Sequence, residues 1–453
     1  MNRVPKKDVE TVINALTEYY HHIIATQSFN LQEFMNFMEP KFAEAGYREN
    51  PTTNLNGRQA NILIILDAYG VGDFIWKTGI IREIRKIYPT ASIRLVVHSN
   101  AAVMAEVCPY VDEVILNPAR VGMSSFLEMF DWNIKIALKL LTECTDICFA
   151  FTYYLHTPLL MYMCGARERI SYHYDEDENF FPDTTVLPEL VPCPIKRKHL
   201  NELATVSVPQ FLHGDIAHNV DISFSLLDFV TKTPVSNREM EIWYTPLDMN
   251  VAKNVLYNRL EKTYALAMGG NHKKFYPPEK YAAVLAMILN EEPNTTFVLV
   301  GGPKEKKFAE IVKQVLGEKI CSKNIIDLTG KITYRQTAAV LTMCDMYIGN
   351  DTGTMHIAAA AKLPCLAVFA FPADAVSRRI DATKVSYPYN VPSVVVQPEH
   401  ALPGCDTNIY NHHGCKANTP HCITQIKPQT VFRGFKLLKK RIEQKINEPL
   451  YIY

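Results

Sequence analysis

The sequence predicts an α/β protein built from two doubly wound units, and three observations lead there. Short, nearly all-apolar runs recur, from NILIIL at 61–66 to the later TFVLVGG and PCLAVFA, as expected of parallel strands covered on both faces. These runs alternate with helical stretches, usually across a glycine-bearing turn, and that alternation means right-handed β–α–β crossovers. The pattern begins near residue 58, breaks into an irregular stretch after 170 and restarts at Tyr264. A chain of 453 residues is also too long for one core and comfortable for two.

The elements follow in order. Val9, Val12, Ile13 and Leu16 recur at helical spacing, as do Phe34, Phe37, Met38 and Phe42. The polar RENPTTNLNGRQ that comes next reads as a linker, so residues 1–57 are expected to form a helical N-terminal extension. A first Rossmann-like unit is expected over 58–249. It opens with strand 61–66, the turn AYGVGD and the helical FIWKTGIIREIRKIYP, closed by Pro89, and continues through SIRLVVHS, AAVMAEVCPY and DEVILN. The acidic HYDEDENFFPD and the Pro-rich LPELVPCPIKRKH predict long loops. A second unit is expected over 250–400, restarting at YALAM, Gly269 and Gly270 and running through helix EKYAAVLAMILNE to strand PCLAVFA. Residues 401–453 hold a Cys/His-rich loop and a last helix, TVFRGFKLLKKRIEQKI. Two doubly wound units bind ligands in the cleft facing their strand carboxyl ends; the site is expected there.

Composition narrows the function. A hydrophobic fraction of 48% with 21% charged residues is that of an ordinary folded, soluble protein. Forty-seven basic residues balance 47 acidic ones, so no net field draws the chain to nucleic acid, and no nucleic-acid partner is expected. No stretch reaches the roughly 18 apolar residues of a membrane span, and MNRVPKKDVETV lacks the apolar core of a secretory signal. Eleven cysteines, an odd number set mostly in apolar runs, suit buried reduced thiols. A cytoplasmic location is expected, with peripheral contact to the inner membrane left open.

Several motifs bear chemistry. Gly70-Val71-Gly72-Asp73 lacks the third glycine of a dinucleotide fingerprint, which is Ile75, and Trp76 stands where a Walker loop needs glycine before Lys77-Thr78. What is left is a carboxylate at a strand-to-helix turn, and Asp73 reads as a helix N-cap or as an acid–base group. Asp351-Thr352-Gly353-Thr354-Met355-His356 follows a strand and opens an Ala-rich helix. Its first-turn N–H groups could receive a phosphate oxygen, or Asp or Thr could simply cap them. Asn271-His272-Lys273-Lys274-Phe275-Tyr276-Pro277 is a basic loop after a strand, suited to an anionic ligand or to solvent. Asp175-Glu176-Asp177 mimics a metal-holding D-x-D but lies in a charged irregular loop and reads as solvated.

Taken together in this order and spacing, the chain resembles the ADP-heptose:lipopolysaccharide heptosyltransferase family, glycosyltransferase family nine, over roughly residues 60 to 440. Three stretches carry the resemblance: ILIILDAYGVGDFIWKTGIIREIRKIYP, then LAMGGNHKKFYPPEKYAAVLAMI with VLVGGPKE, then LTGKITYRQTAAVLTMCDMYIGNDTGTMHIAAAAKLPCLAVFA. The third holds the family's G-N-D-[ST]-G-x-x-H signature. The resemblance implies the GT-B fold, two Rossmann-like domains facing across a cleft, and an inverting, metal-independent transfer from a nucleotide-sugar, with heptose from ADP-heptose as the expected donor. It implies that Asp73 is the general base and that Lys274 contacts the donor diphosphate. By the same resemblance Asp351, Thr352, Gly353 and His356 form the donor-phosphate segment, and Asp327 falls where the family has an acidic contact to the donor ribose. The chain departs from the family pattern at the turn before Asp73, at Trp76 and Lys77, at Met268-Gly269-Gly270-Asn271 and in its helical extension.

The tail places Cys405, Cys415 and Cys422 near His412, His413 and His421. Thiolates and imidazoles of this kind could hold structural zinc or iron, although no C-x-x-C pair is present. Similar tails resemble those of an autotransporter heptosyltransferase branch that holds iron. No cofactor is expected for catalysis. The expected partners are a nucleotide-sugar donor and a glycan, lipid-linked or protein acceptor, and a homo-oligomer is compatible with the sequence. A non-catalytic sugar-nucleotide-binding scaffold is the alternative, against which the retained Asp73 argues.

Overall fold

The computed structural model of the protein describes residues 6–47, 59–66, 70–117, 126–151, 156–173, 197–209, 217–270, 274–374, 382–403 and 421–453. It divides into two compact units. The first comprises Met1–Tyr69, Gly79–Asp215 and Ile222–Arg238; the second comprises Gly70–Thr78, Ile216–Asp221 and Glu239–Tyr453.

The first unit is wound around six parallel strands: β1 (Asn61–Leu66), β2 (Ser92–His98), β3 (Glu113–Asn117), β4 (Ile147–Ala150), β5 (Glu168–Tyr172) and β6 (Val206–Val208). Their order is β3-β2-β1-β4-β5-β6. Every residue of β1 and β2 is buried, which is why their apolar runs read through without alternation. The N-terminal helices Lys6–Thr26 and Leu31–Glu44 share this unit's core. Phe34 is fully buried, its ring edge-on to Phe130 at 5.3 Å and tilted against Tyr162 at 5.6 Å. The Tyr47 hydroxyl, just beyond, donates to the carbonyl of Leu141. The amphipathic stripes seen in the sequence are thus the faces that bury against helices Phe126–Leu140 and His156–Met163.

The second unit has seven parallel strands: β7 (Lys262–Ala267), β8 (Thr295–Val300), β9 (Ile325–Asp327), β10 (Met346–Asn350), β11 (Cys365–Val368), β12 (Ser393–Val396) and β13 (Pro449–Ile452). Their order, β13-β12-β11-β10-β7-β8-β9, repeats the winding of the first sheet and adds one edge strand. The last helix, Pro428–Gln444, lies on this sheet, with Phe435 against Tyr264 at 5.8 Å. Gly434 permits the contact, because a Cβ there would stand 2.8 Å from Leu366 Cδ1. The chain then returns as β13, parallel to β12. In each sheet the strand order reverses at one place, between β1 and β4 and between β7 and β10. A crevice opens there at the strand carboxyl ends, where ligands of this architecture bind. Among the described residues no helix is long and apolar enough to cross a membrane.

Candidate functional site

The crevice of the second unit is organised by Asn350, the fully buried last residue of β10. Its Nδ2 donates to the carbonyls of Met268 (2.8 Å) and Gly269 (2.9 Å), and its Oδ1 accepts from the Tyr281 hydroxyl (2.7 Å) and the Tyr276 N–H (3.2 Å). One side chain therefore ties together the loop after β7, the Phe275-Tyr276-Pro277 segment and the end of β10. Gly270, at φ +142°, takes a backbone angle that a side chain would resist and turns the chain toward Lys274.

Lys274 Nζ lies 2.7 Å from Asp351 Oδ2, with both side chains largely buried. Thr352 then occupies the N-cap of helix Gly353–Ala360, but its side chain makes no capping hydrogen bond. Among the described residues neither the Gly353 nor the Thr354 N–H has a protein acceptor. Open donors at a helix N-terminus beside a lysine are able to receive an anion. The Thr352 side chain therefore does not cap this helix.

Asp73 joins this group through the segment Gly70–Thr78, which clusters with the second unit although the sequence-based boundary assigns it to the first. Two glycines explain the association. A Cβ on Gly72 would meet His356 Cδ2 at 2.7 Å, and one on Gly353 would meet the Gly72 nitrogen at 3.1 Å, so helices Val71–Ile75 and Gly353–Ala360 touch backbone to backbone. Asp73 is not an N-cap. Gly70 holds that position, and the Asp73 carboxylate, one turn in, accepts the Gly70 N–H. Burial raises its pKa above the ordinary carboxylate value; the Lys77 and Lys274 ammonium groups and the Gly70 N–H oppose that shift, and Asp351 adds to it. Lys77 is buried, and its Nζ donates to the Asp73 carbonyl at 3.1 Å. Burial lowers its pKa, with Asp73 opposing.

His356 is buried on the first turn of its helix, and its Nδ1 accepts the Trp76 indole N–H at 3.0 Å. Burial pushes its pKa down to about 4, and Lys274 pushes the same way against Asp351. It is neutral at physiological pH.

Asp73, Lys274, Asp351, Thr352, Gly353 and His356 are thus brought together. Asp327 is not. It ends β9, two strands from β7, where it accepts from Thr329 N–H (3.0 Å), Thr329 hydroxyl (2.6 Å) and Lys313 Nζ (2.9 Å). Burial alone would raise its pKa, but these hydrogen bonds hold it below the ordinary value. A further acidic residue, Glu305, past the end of β8, does reach the crevice. Its side chain packs over Gly269, Gly301 and Gly302, 3.1–3.3 Å from where their Cβ atoms would be. The signal available in sequence was an acid following the second strand of a doubly wound unit. Cys405, Cys415, His412 and His413 lie outside the described residues, as do Asp175-Glu176-Asp177. Cys422 is buried, with its sulfur 3.5 Å from His421 Nδ1 and accepting the Leu402 N–H at 3.4 Å. Among the described residues no three His, Cys, Asp or Glu side chains cluster to hold a metal.

The model of glycosyltransferase family 9 (heptosyltransferase) matches residues 216–387, which contain Lys274, Glu305 and the whole 351–356 segment. Over those residues the chain is similar to glycosyltransferase family 9. Lipopolysaccharide heptosyltransferase 1 of Campylobacter coli is 29% identical over 176 residues, covering 35% of this chain and 51% of that protein. Lipooligosaccharide heptosyltransferase 2 of Haemophilus influenzae is 28% identical over 96 residues, 21% of this chain and 27% of that protein. The chain therefore spans about half, or less, of the length of these curated relatives. The structure of E. coli ADP-heptose lps heptosyltransferase II superposes with a TM-score of 0.59 at 16% identity, over 84% of this chain and 99% of that one. At that identity the likeness shows the fold, the paired doubly wound units of the GT-B class.

Proposed function

We propose that this protein is a glycosyltransferase of the family 9 kind that moves a sugar, heptose from ADP-heptose, to a hydroxyl of a surface glycan or protein acceptor with inversion and without a metal. The observation that carries the reading is the meeting of an unpaired helix N-terminus, Lys274 and the Asp73 carboxylate at one crevice. The names of the curated relatives support the sugar and the class of acceptor.

The chemistry follows from the charges. Asp73, its pKa raised by burial above the ordinary carboxylate value, takes the proton of the acceptor hydroxyl as its oxygen attacks the sugar carbon. The bond to the diphosphate breaks on the opposite face, and the leaving nucleoside diphosphate gains charge. Lys274, the N–H groups of Gly353 and Thr354 and the His356 side chain are the donors available to stabilise it. Asp351 holds the lysine in place through its 2.7 Å contact. Glu305, in the position from which an acid reads ribose hydroxyls in doubly wound units, replaces Asp327 as the ribose contact.

Thermal-shift screening of the whole chain against ADP, UDP, GDP and their sugars tests this, because a ligand that binds the folded state raises its melting temperature by mass action. Stabilisation by ADP and ADP-heptose above the others is expected. No stabilisation by any nucleoside diphosphate would reject the reading.

A further inference from the structure

Trp76, a departure from the family pattern, has no role in the chemistry above. Its indole N–H donates to His356 Nδ1 at 3.0 Å, with the two rings 4.7 Å apart and nearly perpendicular. The ring also meets His218 edge-on at 6.2 Å. His218 is immobilised at both nitrogens: Nε2 bonds the Tyr387 carbonyl at 2.9 Å, and Nδ1 accepts the Val220 N–H at 3.1 Å. Tyr387 and Tyr389 pack against it at 4.6 and 4.7 Å. The indole therefore sits between a fixed imidazole and the one it bonds.

An indole N–H can only donate. His356 Nδ1 must then present its lone pair, and the proton of the neutral ring resides on Nε2. Among the described residues Nε2 has no protein partner. Gly72 keeps the space at this edge of the ring open, since a Cβ there would stand 3.5 Å from Nε2 and closer still to Cδ2.

We propose that Trp76 is a positioning residue that fixes His356 as a neutral imidazole carrying its proton on Nε2, so that it offers a donor rather than a lone pair to an anionic oxygen in the crevice. In the other tautomer a lone pair would face that oxygen and repel it. The identity of the anion, the leaving diphosphate, rests on the proposed function; the tautomer is a property of the protein without ligand. Among the described residues the charged and titratable groups that act on the ring are Asp351 and Lys274, on the loops of its own sheet, and His218, while Asp73 and Lys77 lie on the segment that carries Trp76. Burial outweighs Asp351 and keeps the ring neutral.

Long-range 15N–1H spectra of the histidine-labelled full chain test the proposal, with the His356 signals assigned by their loss in His356→Gln. In the wild type Nδ1 is expected to resonate as an unprotonated nitrogen and Nε2 as a protonated one, without change from pH 8 to 5. Trp76→Phe keeps the ring contacts and removes the donor. Its His356 should show mixed tautomers and a higher protonation midpoint, and ADP affinity at pH 7.5 should fall about five- to tenfold, the worth of one neutral hydrogen bond. Identical tautomer and titration in wild type and Trp76→Phe would overturn the proposal. So would a protonated Nδ1 in the wild type, which decides the matter even if the variant fails to fold. A tautomer change in Trp76→Phe with no ADP binding by either protein would uphold the role of Trp76 and reject the donor-site reading instead.

Discussion

Replacing Lys274 by alanine removes a side-chain cation that Asp351 holds at the crevice. Its contact with Asp351 is 2.7 Å long, and the two side chains are 15% and 10% exposed, so the pair is shielded well enough for its charges to matter. Loss of a charge-assisted contact to a phosphate costs about 1.5–3 kcal/mol, which weakens nucleoside diphosphate binding by about 10- to 150-fold. A second effect adds to the first, because Asp351 is left with its carboxylate facing the incoming phosphate. The fold should lose about 1–3 kcal/mol from the broken pair. Calorimetric titration with ADP, alongside urea unfolding, separates the two. Lys274→Met combined with Asp351→Asn removes the stranded charge, and it should regain stability without regaining affinity. Unchanged ADP affinity in Lys274→Ala would refute the assignment, and recovery of affinity in the double variant would show that Asp351 repulsion, not loss of the lysine contact, was the cause.

Asp73→Asn keeps an acceptor for the Gly70 N–H and loses the basicity, so turnover should fall by about 10²–10⁴-fold with ADP affinity nearly unchanged; near-normal transfer would return Asp73 to a structural role. Because the Asp73 pKa is raised by folding, its contribution is fully present below the unfolded value of 3.8 and is lost as pH rises through the folded value. Asp73→Asn should therefore melt no lower than wild type at pH 8, and a lower melting temperature would contradict this sign. His356 and His218 are depressed from 6.5 to about 4 and about 3, so their contribution is present above pH 6.5 and is lost as pH falls through those values. The melting temperature should drop below pH 6.5, less steeply in His218→Gln, and a flat profile would count against both burials. Phe34→Ala should cost about 3–5 kcal/mol in chemical unfolding if the N-terminal helices are part of the first core; a loss below about 1 kcal/mol would make them an appendage.

The parallel strands were legible because burial on both faces leaves an apolar run with no alternation, as in β1 and β2. Strand β13 was not: its four residues are mostly half-buried at a sheet edge, behind a helix that reads as the end of the fold. The helical stripes of residues 6–44 were visible, but their partners Phe126, Phe130 and Tyr162 are some 90 to 130 residues away along the chain, and nothing local names them. At the site, Thr352, Gly353, His356 and Lys274 could be read because a strand, a glycine and a helix start adjoin in sequence. The Trp76–His356 bond joins residues 280 apart and could not. Asp327 and Glu305 both follow strands, and packing over Gly269 alone separates the acid that faces the crevice from the one that closes its own turn.

The most direct measurement is a crystal structure of the full chain soaked with ADP. The diphosphate is predicted within hydrogen-bond distance of Lys274 Nζ, the Gly353 and Thr354 N–H groups and His356 Nε2, with the ribose hydroxyls on Glu305. ADP bound elsewhere, or a diphosphate that leaves Lys274 paired only with Asp351 and the helix N–H groups vacant, would contradict the account.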